Sequence, residues 1–98
     1  DARYAGHYVD YHRARGQGPL RIRRDLEAFG VAAVLIDAAL AAVADWAALA
    51  REVRRRRFGP EAPAEWAEKG RQARFLQYRG FSNDHIRSAL GPDLELDS

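Results

Sequence analysis

Leu26-Glu27-Ala28-Phe29-Gly30-Val31 returns fifty positions later as Leu76-Gln77-Tyr78-Arg79-Gly80-Phe81. At the same offset Ile36, Ala39 and Leu40 fall on Ile86, Ala89 and Leu90, while Arg21 and Arg24 fall on Arg71 and Arg74. Repetition at such a period marks an architecture built from supersecondary units, each too small to bury its apolar face alone. In each copy an amphipathic segment stops at a glycine, an apolar residue follows, and a second amphipathic segment begins. Glycine just past an apolar-periodic run is a helix stop, because it enters the left-handed region at little cost. Each copy is therefore helix, glycine corner, helix.

Outward from that stretch, an upstream helix joins each copy. Ala5 aligns on Ala50 and Tyr8 on Val53 at an offset of 45, and the change of offset falls in the loop that follows, where Gly59-Pro60-Glu61-Ala62-Pro63 is longer than Gly16-Gln17-Gly18. Insertions are tolerated in such connections. The expected fold is all-α: two tandem three-helix modules of helix-turn-helix type, six helices in all. Residues 1–44 form the first module and 45–92 the second, and 93–98 read as a frayed acidic tail.

Helical spacing assigns a buried stripe to each helix. In the first, over 2–15, Tyr4, Ala5, Tyr8, Tyr11 and His12 share a face. It reads best as core-facing, with a base-stacking platform for single-stranded nucleic acid as the alternative. Pro19 opens the second helix, over 19–29, with Ile22, Leu26 and Phe29 inward. The third, over 33–43, buries Leu35, Ile36, Ala39, Leu40 and Val43. Asp1 and Asp45 are placed as N-caps for the first and fourth helices. Trp46, Leu49, Ala50 and Val53 face inward from the fourth. The fifth, over 64–79, turns Trp66, Gly70, Ala73 and either Leu76 or Phe75 to the core. Ser82 caps the sixth, which buries Ile86, Ala89 and Leu90 before Gly91-Pro92.

Composition agrees with this reading. Charged residues make up 31% of the 98, hydrophobic residues 47% with many alanines, and cysteine, methionine and threonine are absent, a mixture that favours helix over sheet. Without cysteine there is neither a disulfide framework nor a thiolate zinc site. No apolar run approaches the roughly 18 residues of a membrane span. The chain reads as a soluble, cytoplasmic piece of something longer, without cofactor.

Motifs for catalysis are lacking. His7 and His12 lie on different helical faces and His85 is distant, so no metal set forms. Ser82, Asp84 and His85 are near neighbours on one first turn, which forbids triad geometry and favours capping. Gly16-Gln17-Gly18 has neither the third glycine of a dinucleotide fingerprint nor the Lys-Ser/Thr of a phosphate loop.

The charge distribution is uneven. Residues 1–57 carry eleven arginines against seven acids, whereas 58–98 carry five Lys or Arg against seven acids. Two cationic features follow. Arg13, Arg15, Arg21, Arg23 and Arg24 surround the Gly16–Pro19 turn, where a helix N-terminus would add oriented N–H groups to an anion pocket. Arg51 and the Arg54–Arg57 run line a second face that Arg71, Arg74 and Arg79 could extend. Such faces suit DNA phosphates or the acidic surface of a protein partner. Candidate partner-contacting or DNA-contacting residues are accordingly Arg13, Arg15, Arg21, Arg24, Arg51, Arg54, Arg55, Arg57, Arg71 and Arg74. Reversing Arg54, Arg55 and Arg57 to Glu is expected to leave helicity and melting nearly unchanged and to weaken binding in a salt-dependent way.

Tyr4-Ala5, Gly16-x-Gly18-Pro19-x-Arg21-Ile22, Asp25-Leu26-x-x-x-Gly30-Val31 and above all Arg74-Phe75-Leu76-x-Tyr78-Arg79-Gly80-Phe81 resemble the RecX family, bacterial regulators of the RecA recombinase. The resemblance covers nearly the whole chain, with the motifs in the family's order. It implies a protein of three tandem modules, of which this chain resembles the second and third, so that a further module is expected ahead of Asp1. It also implies a non-enzymatic, cytoplasmic regulator in DNA repair, homologous recombination and the SOS response. Such a regulator binds the RecA–DNA filament in its groove and inhibits filament extension, ATP turnover and strand exchange. A monomer that touches single- or double-stranded DNA only weakly is expected. The rival is a non-specific DNA-binding helical module that competes for DNA. Sequence-specific readout is disfavoured, because the helices that would enter a groove, 33–43 and 82–90, carry few base-edge readers.

Overall fold

The computed structural model describes residues 1–96 and contains, among them, six helices and no strand. They are α1 (Ala2–Ala14), α2 (Pro19–Ala28), α3 (Ala33–Ala41), α4 (Trp46–Phe58), α5 (Trp66–Arg79) and α6 (Asn83–Leu90). Bounds differ from those expected by a residue or two, as helix ends do. The starts are fixed by local chemistry. Asp1 accepts the Tyr4 N–H at 2.8 Å and Asp45 the Ala48 N–H at 2.9 Å, each satisfying a donor that has no partner inside the helix. At α6 the Ser82 hydroxyl accepts from the His85 N–H while His85 Nδ1 accepts from the Ser82 N–H. That reciprocal cap is the work of Ser82 and His85. Partial burial holds the His85 imidazole below its usual range, favouring the neutral ring that can accept this bond.

The repeat appears as two apolar clusters. Ala5, Val9, Ile22, Leu26, Ile36 and Leu40 form one between α1, α2 and α3. Ala50, Ala73, Leu76, Phe81, Ile86, Leu90 and Leu94 form the other between α4, α5 and α6. Each fully buried Leu, Ile or Phe contributes roughly 1.5–3 kcal/mol. Trp46 packs against both clusters, and its indole N–H donates to the Leu40 carbonyl at 3.1 Å. The two units lie along a body of 45 × 25 × 18 Å.

Four expectations are corrected. The α1 stripe faces the core only in part: Ala5 is buried and Tyr8 packs half-buried on the cluster as expected, but Tyr4 and Tyr11 are exposed and Val9 is buried in their stead. Small residues let three short helices approach closely, and the phenols are pushed to the rim. Phe29 and Trp66, expected inside, are each 60% exposed. Phe29 is the C-cap residue of α2 and Trp66 the first residue of α5, so both sit where the helix leaves the core. The acidic tail is not frayed throughout, since Leu94 is buried in the second cluster and Leu96 packs on it. Asp97 and Ser98 lie outside the described residues.

The fourth correction concerns Arg54, which is buried at 6% exposure instead of lining a surface. The 45-residue offset places it on Val9, and the 50-residue offset places Gln72, also buried, on Ile22. Where the first unit has an apolar pair, the second has a hydrogen-bonded polar one. Arg54 donates to Gln72 Oε1 at 3.0 Å and to the carbonyls of Gly59 at 2.7 Å and Glu61 at 3.4 Å. Gln72 Nε2 donates onward to Glu68, whose carboxylate also accepts from Arg71. The guanidinium thus pins the longer loop of the second unit, which explains why a charge replaces valine there.

Candidate partner-binding surface

The corner glycines build the platform for any site. Gly30 and Gly80 both have positive φ, +81° and +98°, and both close the same hydrogen-bonded turn at the end of α2 and α5. Gly80 also meets the other unit. The Gly18 N–H donates to the Arg79 carbonyl at 2.8 Å and the Leu20 N–H to the Gly80 carbonyl at 2.9 Å. A Cβ on Gly18 would lie 2.6 Å from the Gly80 carbonyl carbon, and one on Gly80 would lie 2.7 Å from the Arg21 nitrogen. The two glycine motifs are therefore halves of one joint, which Arg79 reinforces by donating to the Arg15 carbonyl at 3.2 Å.

This joint overturns the expected anion pocket at the Gly16–Pro19 turn. The free donors at the start of α2 point at the Arg79 and Gly80 carbonyls, not at an open site. Nor do the five arginines around the turn converge. Arg13 pairs with Asp10 and Arg23 with Asp37 of α3, while Arg15 lies 4.0 Å over the Tyr11 ring. Only Arg21 and Arg24 come together, in an open groove of about 490 Å³ with Asp25, Gln77 and Tyr78. The groove crosses the joint: Arg21 sits 5.7 Å over Tyr78, which is 76% exposed. Asp25 is engaged there by the Tyr8 hydroxyl, which donates to it at 2.9 Å.

The second cationic face is partly as expected and partly neutralised. Arg51 pairs with Asp45 and donates to Ser88, Arg55 and Arg56 share Glu52, and Arg71 pairs with Glu68. Hydrogen bonds from Arg55 and Arg56 hold the Glu52 carboxyl below its usual range, and those from Arg71 and Gln72 hold Glu68 down at about 2. Exposed pairs of this kind contribute little stability, but they occupy the cations that a partner would otherwise meet. Arg54 is withdrawn altogether. Arg57 makes no ion pair with a described carboxylate and lies 5.4 Å over Phe75, while Arg79 lies over the same ring at 5.2 Å. Val53, Arg56, Arg57, Phe75 and Arg79 line a cleft of about 190 Å³ with an apolar floor and a cationic rim.

Of the ten candidate arginines, Arg15, Arg21, Arg24, Arg54, Arg57 and Arg74 form no ion pair among the described residues, and all of these but the buried Arg54 reach the surface. Arg74 lines a different cleft, with Gly70, Gln77 and the Leu94–Leu96 segment, and Gln77 is common to it and to the Arg21–Arg24 groove. Missing from the sequence reading were the aromatic partners Phe58, Phe75 and Tyr78. The signal was present in Arg57-Phe58, Arg74-Phe75 and Tyr78-Arg79, where arginine adjoins an aromatic ring each time. Among the described residues no three His, Cys, Asp or Glu side chains group as a metal site, and no single helix is long and apolar enough to cross a membrane.

The chain is an all-α tandem array of interlocked three-helix units with arginine-lined grooves. The chain belongs to the RecX family: residues 1–40 match the family's second three-helix domain and residues 44–90 its third. It is similar to "Regulatory protein RecX" of Halorhodospira halophila, 49% identical over 90 residues, covering 91% of this chain and 56% of that protein. The proteins of the same name from Serratia proteamaculans and Yersinia enterocolitica are 40% and 42% identical, over 90% and 97% of this chain and 53% and 58% of theirs. The chain spans about half the length of the curated relatives it matches. The relatives it matches are named as regulatory proteins.

Proposed function

We propose that this chain binds the RecA–DNA filament and restrains its extension, ATP turnover and strand exchange without catalysing a reaction. The observation that carries this reading is the sorting of the arginines. Arg15, Arg21, Arg24, Arg57 and Arg74 have no acidic partner among the described residues of a two-unit body 45 Å long. Unpaired cations spread over both units suit a partner that repeats, because several weak contacts held by one body act together. The Arg56–Arg57–Arg79 cleft offers an apolar floor to a partner side chain and a cationic rim to a carboxylate.

A second reading, competition for single-stranded DNA, is favoured by one feature: exposed Tyr78 beside Arg21 and Arg24 combines a stacking ring with phosphate-binding cations. Titrating the chain into RecA hydrolysing ATP on single-stranded DNA, with binding to the same naked DNA measured in parallel, separates the two. Inhibition where naked DNA is bare supports the filament reading; inhibition only once the DNA is coated sinks it.

A further inference from the structure

The joint between the two units has a donor half and a receiving half, and both halves can be located in the repeat. The donor half is the 15–21 turn of the first unit. The receiving half belongs to the second unit: Val53 on α4, then Arg79, Gly80 and Phe81 at the end of α5. Val53 lies against Gly16, where an added Cβ would come within 3.2 Å of its methyl, and the carbonyls of Arg79 and Gly80 accept the turn's N–H groups. At the repeat offsets these positions become Tyr8, Phe29, Gly30 and Val31 of the first unit.

Those four residues have the receiving geometry, but among the described residues no turn is seated on it. Gly30 N–H bonds to Glu27 and Val31 N–H to Leu26, as Gly80 N–H bonds to Gln77 and Phe81 N–H to Leu76. Tyr8 and Phe29 touch edge-on at 5.7 Å, side by side as the repeat requires. Yet Gly80 and Phe81 are buried, whereas Gly30 is exposed, Val31 is half-exposed and Phe29 is 60% exposed. A Cβ on Gly30 meets nothing within 4 Å. Among the described residues the Phe29 and Gly30 carbonyls accept no bond like those made by Arg79 and Gly80.

We infer that Tyr8, Phe29 and Gly30 form the receiving half of a second joint, filled by the glycine turn of a further three-helix unit of the same protein, N-terminal to this one. Its turn would donate two backbone N–H groups to the Phe29 and Gly30 carbonyls and lay its apolar side on Tyr8. Two observations select this occupant. The family's domain numbering makes these units the second and third, so a first belongs to the family, and the relatives are about twice as long as the match. A second copy of this chain has no turn to offer. Its 15–21 turn is already used internally, and its other inter-helix loop, 59–63, carries the insertion and is pinned by Arg54. Leu94 and Leu96 cover the core of the second unit, whereas the receiving half of the first is open. This inference stands whether or not RecA is the partner.

The test uses the absence of cysteine from the sequence. Phe29→Cys is placed in the 1–98 chain and in the full-length protein, and the rate of maleimide labelling at that position is read by peptide mass spectrometry. Labelling at least tenfold slower in the full-length protein, with fast and concentration-independent labelling of the 1–98 chain, is expected. Equal rates in the two proteins overturn the inference, as does a full-length protein carrying no preceding three-helix unit. Slowing of the 1–98 chain with its own concentration overturns it in favour of a second copy. Gly30→Ala gives an independent readout that leaves Phe29 in place. Its lowering of the melting temperature should be larger in the full-length protein, where a Cβ would strike the incoming turn, and equal drops in both contradict the joint.

Discussion

Truncating Arg54 to Ala removes the group that the second unit uses in place of the apolar pair Val9 and Ile22. Three hydrogen bonds go with it, to Gln72 at 3.0 Å, to the Gly59 carbonyl at 2.7 Å and, more weakly, to the Glu61 carbonyl at 3.4 Å. Bonds to a charged donor contribute about 1.5–3 kcal/mol each, but the loop can open and let water replace part of them. A net loss of about 2–4 kcal/mol is expected, and at about 4–8 °C per kcal/mol for a domain of this size the melting temperature falls by roughly 10–30 °C. The expected tolerance of charge reversal at Arg54, Arg55 and Arg57 together is corrected by the same geometry, because a glutamate at 54 would bury a carboxylate against carbonyls. The assay is thermal denaturation followed by circular dichroism, with Arg55→Ala as the exposed comparison that melts close to the parent. The double substitution Arg54→Val with Gln72→Ile restores the first unit's apolar pair and should lose less than Arg54→Ala, since no buried polar group is left without a partner. It should also leave residues 59–63 unpinned and open to proteolysis. An Arg54→Ala protein that melts with the parent refutes the reasoning.

Further outcomes follow from the joint and from two titrations. Gly80→Ala combines a left-handed backbone, about 1–2 kcal/mol for an L residue, with a Cβ driven into Arg21, and should cost about 2–5 kcal/mol in denaturant unfolding. Gly30→Ala in the same 98-residue chain meets only the first of these and should cost about 1–2 kcal/mol. Partial burial, with the Asp25 carboxylate accepting its hydroxyl, pushes the Tyr8 phenol up to about 12. The neutral phenol is favoured in the folded state, so its contribution is complete below pH 10 and is lost as the pH rises toward 12. Absorbance titration at alkaline pH should show one late tyrosine, and Asp25→Asn should bring it earlier. Glu68, held at about 2, contributes stability above its ordinary value of 4.5 that is lost as the pH falls toward 2. Acid unfolding of Glu68→Gln should be correspondingly flatter over that range.

The fold was legible because its punctuation is local. Asp1, Asp45 and Ser82 cap whatever packing follows, and Gly30 and Gly80 stop their helices by conformation alone. Packing that depends on close approach was less legible. A helical wheel promotes the largest apolar residues, so Tyr4, Tyr11, Phe29 and Trp66 were placed inward and Val9 was not, although short helices meeting closely favour small side chains such as Ala5 and Val9. Arg54 was misplaced for a different reason. A run of arginines reads as a solvated face, and only its alignment on Val9, together with Gln72 on Ile22, reveals a core position. The site fared similarly: Arg21, Arg24 and Arg57 form no ion pair among the described residues, but Arg51, Arg55 and Arg71 are engaged by acids whose proximity depends on rotamers. The Gly16–Pro19 turn looked like an anion pocket because the first N–H groups of a helix have no partner inside it. Those of Gly18 and Leu20 find acceptors in the Arg79 and Gly80 carbonyls, about sixty residues away in sequence.

The proposed function requires that arginines with no ion pair among the described residues meet an acidic, repeating partner, and RecA ATP hydrolysis on single-stranded DNA tests that most directly. The parent chain is compared with Arg21→Glu/Arg24→Glu, with Arg57→Glu, and with Arg3→Glu as an exposed substitution away from the grooves. Melting temperatures are checked first. The prediction is inhibition by the parent and by Arg3→Glu at the same concentrations, with at least a tenfold weaker effect for the groove variants that narrows as salt is raised. Equal inhibition by all four proteins would contradict it.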